Sequence, residues 1–256
     1  MPDDSAIAAP VSRSTYLGGK VLLDQPVKGY RAGIDAALLA AALGLRPGAL
    51  ACEFGCGAGA ALLSAARLYP QARFTAIEQD AAMAALCAAN ITLNEVAERI
   101  TLDTGDALAA GYREAFDAVF FNPPFFDDES ALRPPAPERR GAWISEAPLE
   151  DWIKAGLKAL RPKGALTLVH RADRMADILS ALRRGVGDIT VLPVHSHGDR
   201  PAKRVIVRAV KGARGPFALL PGLVVHGGPE ERYTHEALDI LQGRVLIDMG
   251  AGRKVR

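Results

Sequence analysis

The feature that most constrains the fold of this chain is the alternation of strand-like and helix-like segments between residues 50 and 184. Apolar segments of strand length, such as 50–54 and 73–77, alternate with segments long enough to form helices, such as 149–160 and 173–184. A turn is expected at 161–164, where the first of these two helices ends. Strands that alternate with helices are typical of a parallel sheet covered by helices on both faces. The last two predicted strands, 189–194 and 204–210, have no clear helix between them, which favours an antiparallel pair.

The length of the chain indicates a single domain, since 256 residues suffice for one large core. We expect a flexible stretch at 1–13, a core at 34–210 and a C-terminal extension at 211–256 that packs on the core. Hydrophobic residues make up 49% and charged residues 23% of the chain, as is typical of a soluble globular protein. No apolar run approaches the about 20 residues needed to span a bilayer, so we expect no membrane association.

The cysteines and the start of the chain indicate the compartment. The first residues are polar and lack the basic start and the apolar stretch of a secretory signal. The chain has an odd number of cysteines, Cys52, Cys56 and Cys87, which favours reduced thiols over a disulfide framework. We therefore predict a cytoplasmic protein.

Polar residues or glycine-rich turns follow the predicted strands at the points where the strands end. A glycine-rich turn at 53–59 follows the first buried strand, and Glu78, Asp106 and Asn122 follow later strands. Ligands bind beyond the carboxyl ends of the strands in sheets of this kind, so we expect these groups to share one rim. Each of them alone could also be an ordinary turn or a helix cap.

The glycine-rich turn suits the binding of a nucleoside cofactor. Gly55 and Gly57 allow the backbone to turn sharply and to approach a ligand without obstruction from a Cβ atom. Glu78, 23 positions after Gly55, can accept hydrogen bonds from both ribose hydroxyls. Asp106 can accept a hydrogen bond from an adenine amine, and Glu53 can hold the amino group of the cofactor. The same glycine spacing fits a loose dinucleotide fingerprint, so NAD stays open as an alternative.

The segment Asn122, Pro123, Pro124 and Phe125 suits a planar base that carries an amino group. Such an amine is a poor nucleophile because its lone pair is delocalised into the ring. Asn122 and the carbonyl that follows it can accept both N–H groups, and the two prolines stiffen this geometry. The Phe125 ring can stack on the base, which contributes about 1–3 kcal/mol. We therefore predict methyl transfer to a nucleobase amine, a reaction that rests mainly on positioning.

A basic stretch between residues 198 and 215 overlaps the last predicted strand, although the net charge of the chain is only +2. A local patch of this kind can meet the phosphates of RNA, but a solvated strand face is an equally good interpretation. The predicted RNA-binding residues are Arg200, Lys203, Arg204, Arg208 and Lys211. His195 and His197 lack a companion cluster of ligands, so we predict no metal site.

The glycine-rich turn resembles the cofactor motif of class I S-adenosylmethionine-dependent methyltransferases, and residues 122–125 resemble their amino-methyltransferase signature. Further stretches resemble the bacterial tRNA1(Val) adenine-37 N6-methyltransferase family, and the similarity covers nearly the whole chain. These stretches are 16–20, 29–36, 170–174 and 220–226. The resemblance implies the α/β class, with a Rossmann-like, seven-stranded, mostly parallel sheet, helices on both faces and an antiparallel last strand.

The resemblance also implies a reaction and roles for individual residues. S-adenosylmethionine would donate its methyl group to N6 of the adenine just 3′ of the anticodon in a tRNA, which leaves S-adenosylhomocysteine. The catalytic roles fall on Asn122, Pro123, Pro124 and Phe125. The cofactor-binding roles fall on Glu53, Gly55, Gly57, Glu78 and Asp106, and on the segment from Tyr30 to Asp35, with Arg31, which would close over the methionine end of the cofactor. Glu53 stands where the class more often has aspartate, and the loop 126–140 is a candidate for substrate choice.

Other substrates and other functions remain open from the sequence alone. The same motif would serve guanine N2 of ribosomal RNA, adenine N6 of DNA or a protein glutamine, because each presents an NH2 group. The basic stretch favours nucleic acid over a glutamine substrate. An NAD-dependent oxidoreductase with His170 as its acid or base, and a non-catalytic RNA-binding module, are more distant alternatives.

Overall fold

A mixed sheet organises the residues that the computed structural model describes, which are 10–28, 31–123, 147–228 and 231–250. The strands are β1 (Val11–Tyr16), β2 (Val21–Pro26), β3 (Leu50–Phe54), β4 (Arg73–Glu78), β5 (Ile100–Thr104), β6 (Phe116–Phe121), β7 (Leu160–Arg171), β8 (Val186–His195), β9 (Arg204–Lys211), β10 (Ala218–Leu219) and β11 (Leu223–Val224). The helices are α1 (Ile34–Ala41), α2 (Ala60–Leu68), α3 (Ala81–Leu93), α4 (Leu149–Ala159), α5 (Met175–Ala181) and α6 (His235–Leu241).

The main sheet has the strand order β10-β8-β9-β7-β6-β3-β4-β5, and β11 also pairs with β8. Strands β3 to β7 pair in parallel, whereas β9 lies antiparallel between β7 and β8. The predicted α/β class, with its mostly parallel sheet and antiparallel last long strand, is therefore confirmed. The short β10 and β11 extend the seven predicted strands at one edge.

Helices cover both faces of the sheet because the buried strands are apolar on both sides. Phe120 packs into a cluster with α1, α2, α3 and α6, while Val119 and Phe121 pack with α4 and α5 on the other face. The side chains of these three residues are fully buried. Alternate side chains of a strand point to opposite faces, so a continuous apolar run is what a strand buried on both faces requires.

The helix starts follow the local sequence. Asp80 caps α3 by accepting hydrogen bonds from the N–H groups of Ala82 and Met83 at 2.8 and 3.1 Å. The Thr234 hydroxyl caps α6 by accepting from Ala237 N–H at 3.2 Å. Helix α6 contacts α1, and Met249 is buried in the same cluster, so these parts of the C-terminal segment pack on the core.

The structure differs from the sequence prediction at the N-terminus. A flexible stretch is expected up to Arg13, but β1 begins at Val11, so the expectation is wrong for residues 11–13. Strand β1 pairs antiparallel with β2, and Arg13 forms a two-bond ion pair with Asp24 across the hairpin. The apolar anchor lies on the partner strand, where Leu23 is fully buried, so β1 itself shows little apolar pattern.

Smaller differences concern element bounds. The turn expected at 161–164 is continuous with β7, where Lys163 adopts a φ of 69° and the pairing with β6 shifts register. The helix expected at 173–184 is shorter in the structure, where α5 extends from Met175 to Ala181. Within the described ranges, no helix is long and apolar enough to cross a membrane.

Candidate active site

The glycine-rich turn joins β3 to α2 in a conformation that L-residues rarely adopt. Gly55, Gly57 and Gly59 have φ angles of 66°, 55° and 92°. The N–H groups of Gly55 and Cys56 donate to the Ile77 carbonyl at 2.8 and 3.1 Å, which fixes the turn against the end of β4. The turn therefore has a defined shape before any ligand binds.

A cavity opens beside this turn and draws its walls from five parts of the chain: the hairpin, the start of α1, the turn with α2, the start of α3 and the end of β6. The residues that line it are Gln25, Ala32, Ala36, Glu53, Gly55, Cys56, Gly57, Ala58, Ala60, Ala61, Met83 and Asn122. The structure thus brings together Glu53, Gly55 and Gly57, to which the sequence analysis gave cofactor-binding roles, and Asn122, to which it gave a catalytic role.

Glu53 contributes a buried carboxyl group to the cavity. Its side chain is 3% exposed, and its Oε2 atom has no hydrogen-bond partner among the described residues. Burial raises the pKa of this carboxyl well above its ordinary value, the nearby Glu78 charge adds to the effect, and the Leu62 N–H opposes it. A cationic group in the cavity would relieve this cost by pairing with the carboxylate.

Glu78 braces the glycine-rich turn. Its Oε2 accepts a hydrogen bond from Gly57 N–H at 2.7 Å, and its Oε1 accepts one from Asp80 N–H at 2.9 Å. Glu78 is absent from the cavity lining described above. Each carboxylate oxygen keeps a further lone pair, so its predicted role towards ribose hydroxyls stays a prediction.

Asp106 lies on the same rim but away from the cavity. It follows β5, whose Thr104 pairs with Glu78 at the end of β4. The Asp106 side chain is exposed, and its Oδ1 accepts a hydrogen bond from Leu108 N–H at 2.9 Å. This bond is the turn-capping role that the sequence left open, and the adenine contact stays a prediction.

Asn122 occupies the point where the chain leaves β6. Because Phe121 pairs with Phe54 in the adjacent β3, Asn122 follows directly beside Gly55. Pro123 is buried next to it, while Pro124 and Phe125 lie outside the described residues. The proposed acceptor pair and stacking ring therefore stay predictions, and only the location of Asn122 in the cavity wall is established.

The segment expected to close over the methionine end of the cofactor is tied to the hairpin. Tyr30 lies outside the described residues, and Arg31 donates to the Pro26 carbonyl at 3.0 Å and to the Ser14 hydroxyl at 2.9 Å. Asp35 pairs with Arg204 at 3.0 Å. The cavity is lined here by two alanines of the segment, and neither Arg31 nor Asp35 lines it.

The five predicted RNA-binding cations do not share one surface. Arg200 and Lys203 are exposed before β9. Strand β9 is interior to the sheet, so Arg204 and Arg208 point to one face and Lys211 to the other. Burial lowers the pKa of Arg208. Lys211 donates to the Leu160 carbonyl at 2.7 Å, which holds it against the protein.

Gln25 is a cavity residue that the sequence analysis missed. It is 2% exposed, and its Oε1 accepts a hydrogen bond from Ala32 N–H at 2.8 Å. Its Nε2 donates to the Ser14 hydroxyl at 3.2 Å. A signal was present in the alternation of β2, where Val21 and Leu23 point inward and Gln25 takes the next inward position.

Residues 31–196 of the chain match the family described as methyltransferase small domain. Two curated relatives, both named tRNA1(Val) (adenine(37)-N6)-methyltransferase and both from strains of Porphyromonas gingivalis, are 34% and 32% identical over 166 residues. Each match covers 61% of this chain and 64% of the relative, so the chain spans somewhat less than two thirds of their length. Ribosomal RNA large subunit methyltransferase G of Photobacterium profundum is 28% identical over 55% of this chain and 34% of its own.

Two solved structures support the fold. A predicted O-methyltransferase from Agrobacterium tumefaciens has a TM-score of 0.70 at 24% identity, over 83% of this chain and 98% of its own. The M. jannaschii TYW2 structure in complex with AdoMet has a TM-score of 0.58 at 13% identity, over 79% of this chain and 86% of its own. At these identities, the likeness concerns the fold alone.

Proposed function

The chain belongs to the methyltransferase small domain family, and on that premise we propose that it transfers a methyl group from S-adenosylmethionine to adenine N6 in tRNA, at position 37 of valine tRNA. The observation that carries this proposal is that Glu53, the glycine-rich turn and Asn122 line the same cavity. Family membership favours this reaction over the NAD-dependent oxidoreductase that the glycine spacing left open.

The chemistry of the cavity lining suits the methionine part of S-adenosylmethionine. The amino group of the cofactor is cationic, and Glu53 offers a buried carboxylate oxygen that has no hydrogen-bond partner among the described residues. Gly55 and Gly57 contribute only backbone to the lining of the cavity. When bound, the cofactor supplies an electrophilic methyl group. The residues of this chain hold it, orient it and exclude water from it.

Asn122 would act on the substrate base. Its position at the end of β6, beside the turn after β3, places an amide side chain in the wall of the cofactor cavity. The amide oxygen can accept an N–H of the adenine amine, which favours the pyramidal nitrogen that receives the methyl group. Alignment of the two reactants can account for about 7–11 kcal/mol of the barrier, so no metal or covalent nucleophile is required.

The names of the relatives support tRNA as the substrate. Two relatives above 30% identity are named for adenine 37 of tRNA1(Val). The relative named for large-subunit ribosomal RNA makes a ribosomal base the second candidate, although a much smaller share of it is matched. All three cysteines of the chain are free and buried, which supports the proposed cytoplasmic location.

The decisive experiment uses methyl-labelled S-adenosylmethionine, the purified full chain and total RNA from cells that lack this activity. We expect the label in N6-methyladenosine of the tRNA fraction, and after hybrid selection in position 37 of valine tRNA. Label in a modified guanosine of ribosomal RNA would support the second candidate. Protein that binds S-adenosylmethionine but labels neither RNA would contradict the proposed substrate class.

Gly57→Ala should weaken cofactor binding and destabilise the fold by similar amounts of free energy. A Cβ atom at Gly57 would have only Met83 Cε nearby, at 3.9 Å, but it would enter the cavity wall, and the φ of 55° disfavours alanine. We expect about a fivefold rise in the dissociation constant by calorimetry, with a stability loss of about 1 kcal/mol.

Gly44→Ala is the matched control for this substitution. Its φ of 59° is nearly the same, but a Cβ atom there meets nothing within 4 Å and lies away from the cavity. We expect a similar loss of stability and an unchanged dissociation constant. Equal affinity losses in both variants would mean that backbone strain alone, and not contact with the cofactor, explains the effect.

RNA binding should weaken as salt rises, because the contact with phosphates releases counterions. The exposed residues Arg200 and Lys203 are the best candidates for such contacts. For Arg200→Gln with Lys203→Gln we expect the slope of log affinity against log salt to fall by about 0.7 per lost contact with single-stranded RNA. Lys211→Gln should leave the slope unchanged, because the Lys211 ammonium group is held by the Leu160 carbonyl at 2.7 Å. A slope that none of these changes alters would place the RNA elsewhere.

A further inference from the structure

The hairpin of β1 and β2 docks on α3 through two asparagine side chains. Asn90 Oδ1 accepts from Asp24 N–H at 2.9 Å, and its Nδ2 donates to the Asp24 carbonyl at 2.9 Å. Asn94 pairs with Leu22 in the same way. Its Oδ1 accepts from Leu22 N–H at 2.9 Å, and its Nδ2 donates to the Leu22 carbonyl at 2.6 Å. Each amide therefore pairs with one residue of β2 as a neighbouring strand would.

The spacing of the two elements explains why this pairing is possible. Four residues along a helix rise by about 6 Å, and two residues along a strand advance by about 6.6 Å. Asn90 and Asn94 therefore meet Leu22 and Asp24 in register. One edge of β2 pairs with β1, and the amides satisfy its other edge, which would otherwise leave backbone groups without partners.

Asn90 makes one bond that Asn94 does not make. Its Nδ2 also donates to the Ala58 carbonyl in the glycine-rich turn at 2.9 Å. The Asn90 side chain is fully buried, so these bonds do not compete with water. Asn94 instead directs its second N–H to the Asn90 carbonyl of its own helix, at 2.8 Å. One buried amide thus holds both the hairpin and the cofactor turn.

The two elements that Asn90 joins both contribute residues to the cavity lining. Ala58 belongs to the turn wall, and Gln25, the residue after Asp24, belongs to the hairpin wall. Gln25 in turn holds Ala32 N–H, so a shift of β2 moves the start of the next segment as well. The separation of these walls therefore depends on Asn90.

We propose that Asn90 is a positioning residue for cofactor binding, which sets the hairpin wall against the glycine-rich turn. It acts through Asp24 and Ala58 and does not line the cavity itself. The proposal rests on the proposed function, because it takes S-adenosylmethionine to be the ligand of this cavity. It assigns a binding role to a residue of α3 beyond the motif residues of the turn.

Asn90→Ala and Asn94→Ala separate this role from a general loss of stability. Both variants remove amide bonds to β2, but only Asn90→Ala removes the bond to the turn. We expect Asn90→Ala to raise the dissociation constant for S-adenosylmethionine about tenfold. Asn94→Ala should change it less than about twofold, despite a lower melting temperature. Calorimetry at a temperature where both variants are folded gives the comparison.

Hydrogen exchange in the unaltered protein tests the same link without a substitution. Cofactor binding should slow amide exchange in β2 along with that in the glycine-rich turn, because Asn90 couples them. The amides of α6, which lies away from the cavity, should exchange at an unchanged rate. This measurement keeps the proposal testable if Asn90→Ala does not fold.

Two results would overturn the proposal, and a third would bear on the function instead. Equal affinity in Asn90→Ala and the unaltered protein would overturn it, and so would cofactor protection of the turn without protection of β2. Failure of the unaltered protein to bind S-adenosylmethionine by calorimetry would instead refute the proposed function.

Discussion

Asn122→Ala is expected to abolish methyl transfer while affinity for S-adenosylmethionine stays within a few-fold of that of the unaltered protein. The substitution removes the amide that accepts the substrate amine, at the end of β6 where the cavity wall meets the predicted base site. Removal of one preorganised polar group from a transition-state site costs about a hundredfold to a thousandfold in rate. We therefore expect a fall of about a thousandfold in kcat.

Single-turnover rates and calorimetry together decide this prediction. Asn122→Asp is the matched variant, because it retains an oxygen acceptor in a side chain of the same shape, and it should keep more activity than the alanine variant. A strong loss of cofactor affinity in Asn122→Ala would assign the residue to the cofactor half of the site. An unchanged rate would remove it from the chemistry altogether.

Glu53→Gln should move stability and cofactor affinity in opposite directions. The pKa of the buried Glu53 carboxyl is raised in the folded state, so the folded protein holds a proton that the unfolded chain releases at lower pH. This group therefore lowers stability progressively as pH rises above the ordinary carboxyl range, and glutamine removes that loss. The cofactor-free variant should melt higher than the unaltered protein, by a margin that grows with pH.

The same substitution removes the charge that pairs with the amino group of the cofactor. A hydrogen bond to a charged group contributes about 1.5–3 kcal/mol, so we expect affinity to fall by about 10- to 100-fold. Thermal unfolding across a pH series and calorimetry at neutral pH measure the two effects. Glu114→Gln, at an exposed ion pair with Lys211, should change neither. Loss of stability together with loss of affinity would indicate a structural role for the Glu53 charge.

The core sheet could be predicted because the apolar residues within each strand indicate that the strand is buried. Strand β6 is apolar at nearly every position, and the turn after β3 needs glycine at positive φ, so both features can be read locally. Strand β1 could not be predicted in this way. It alternates exposed and half-exposed positions, and the anchors of the hairpin lie in β2 and at Asn90 and Asn94 on α3.

Part of the site could be predicted because the carboxyl ends of neighbouring parallel strands lie at the same edge of the sheet. Glu53, Gly55, Gly57 and Asn122 line one cavity because β3 and β6 are neighbours and parallel. The positions of the cations in space could not be predicted. The charges can be read from the sequence, but the position of β9 between β7 and β8 in the sheet cannot. Alternation along an interior strand then sends neighbouring charges to opposite faces.

The place of β9 also has a consequence for synthesis of the protein. Strand β9 follows β8 in the chain but lies between β7 and β8 in the sheet. A nascent chain that has emerged from the ribosome only as far as β8 therefore has a gap beside β7, whose outer edge is unpaired, while β8 has no strand partner because β9, β10 and β11 all follow it. Translation adds about 5–20 residues per second. The interval before Lys211 emerges is thus the period in which a chaperone, or another nascent chain, can occupy that gap.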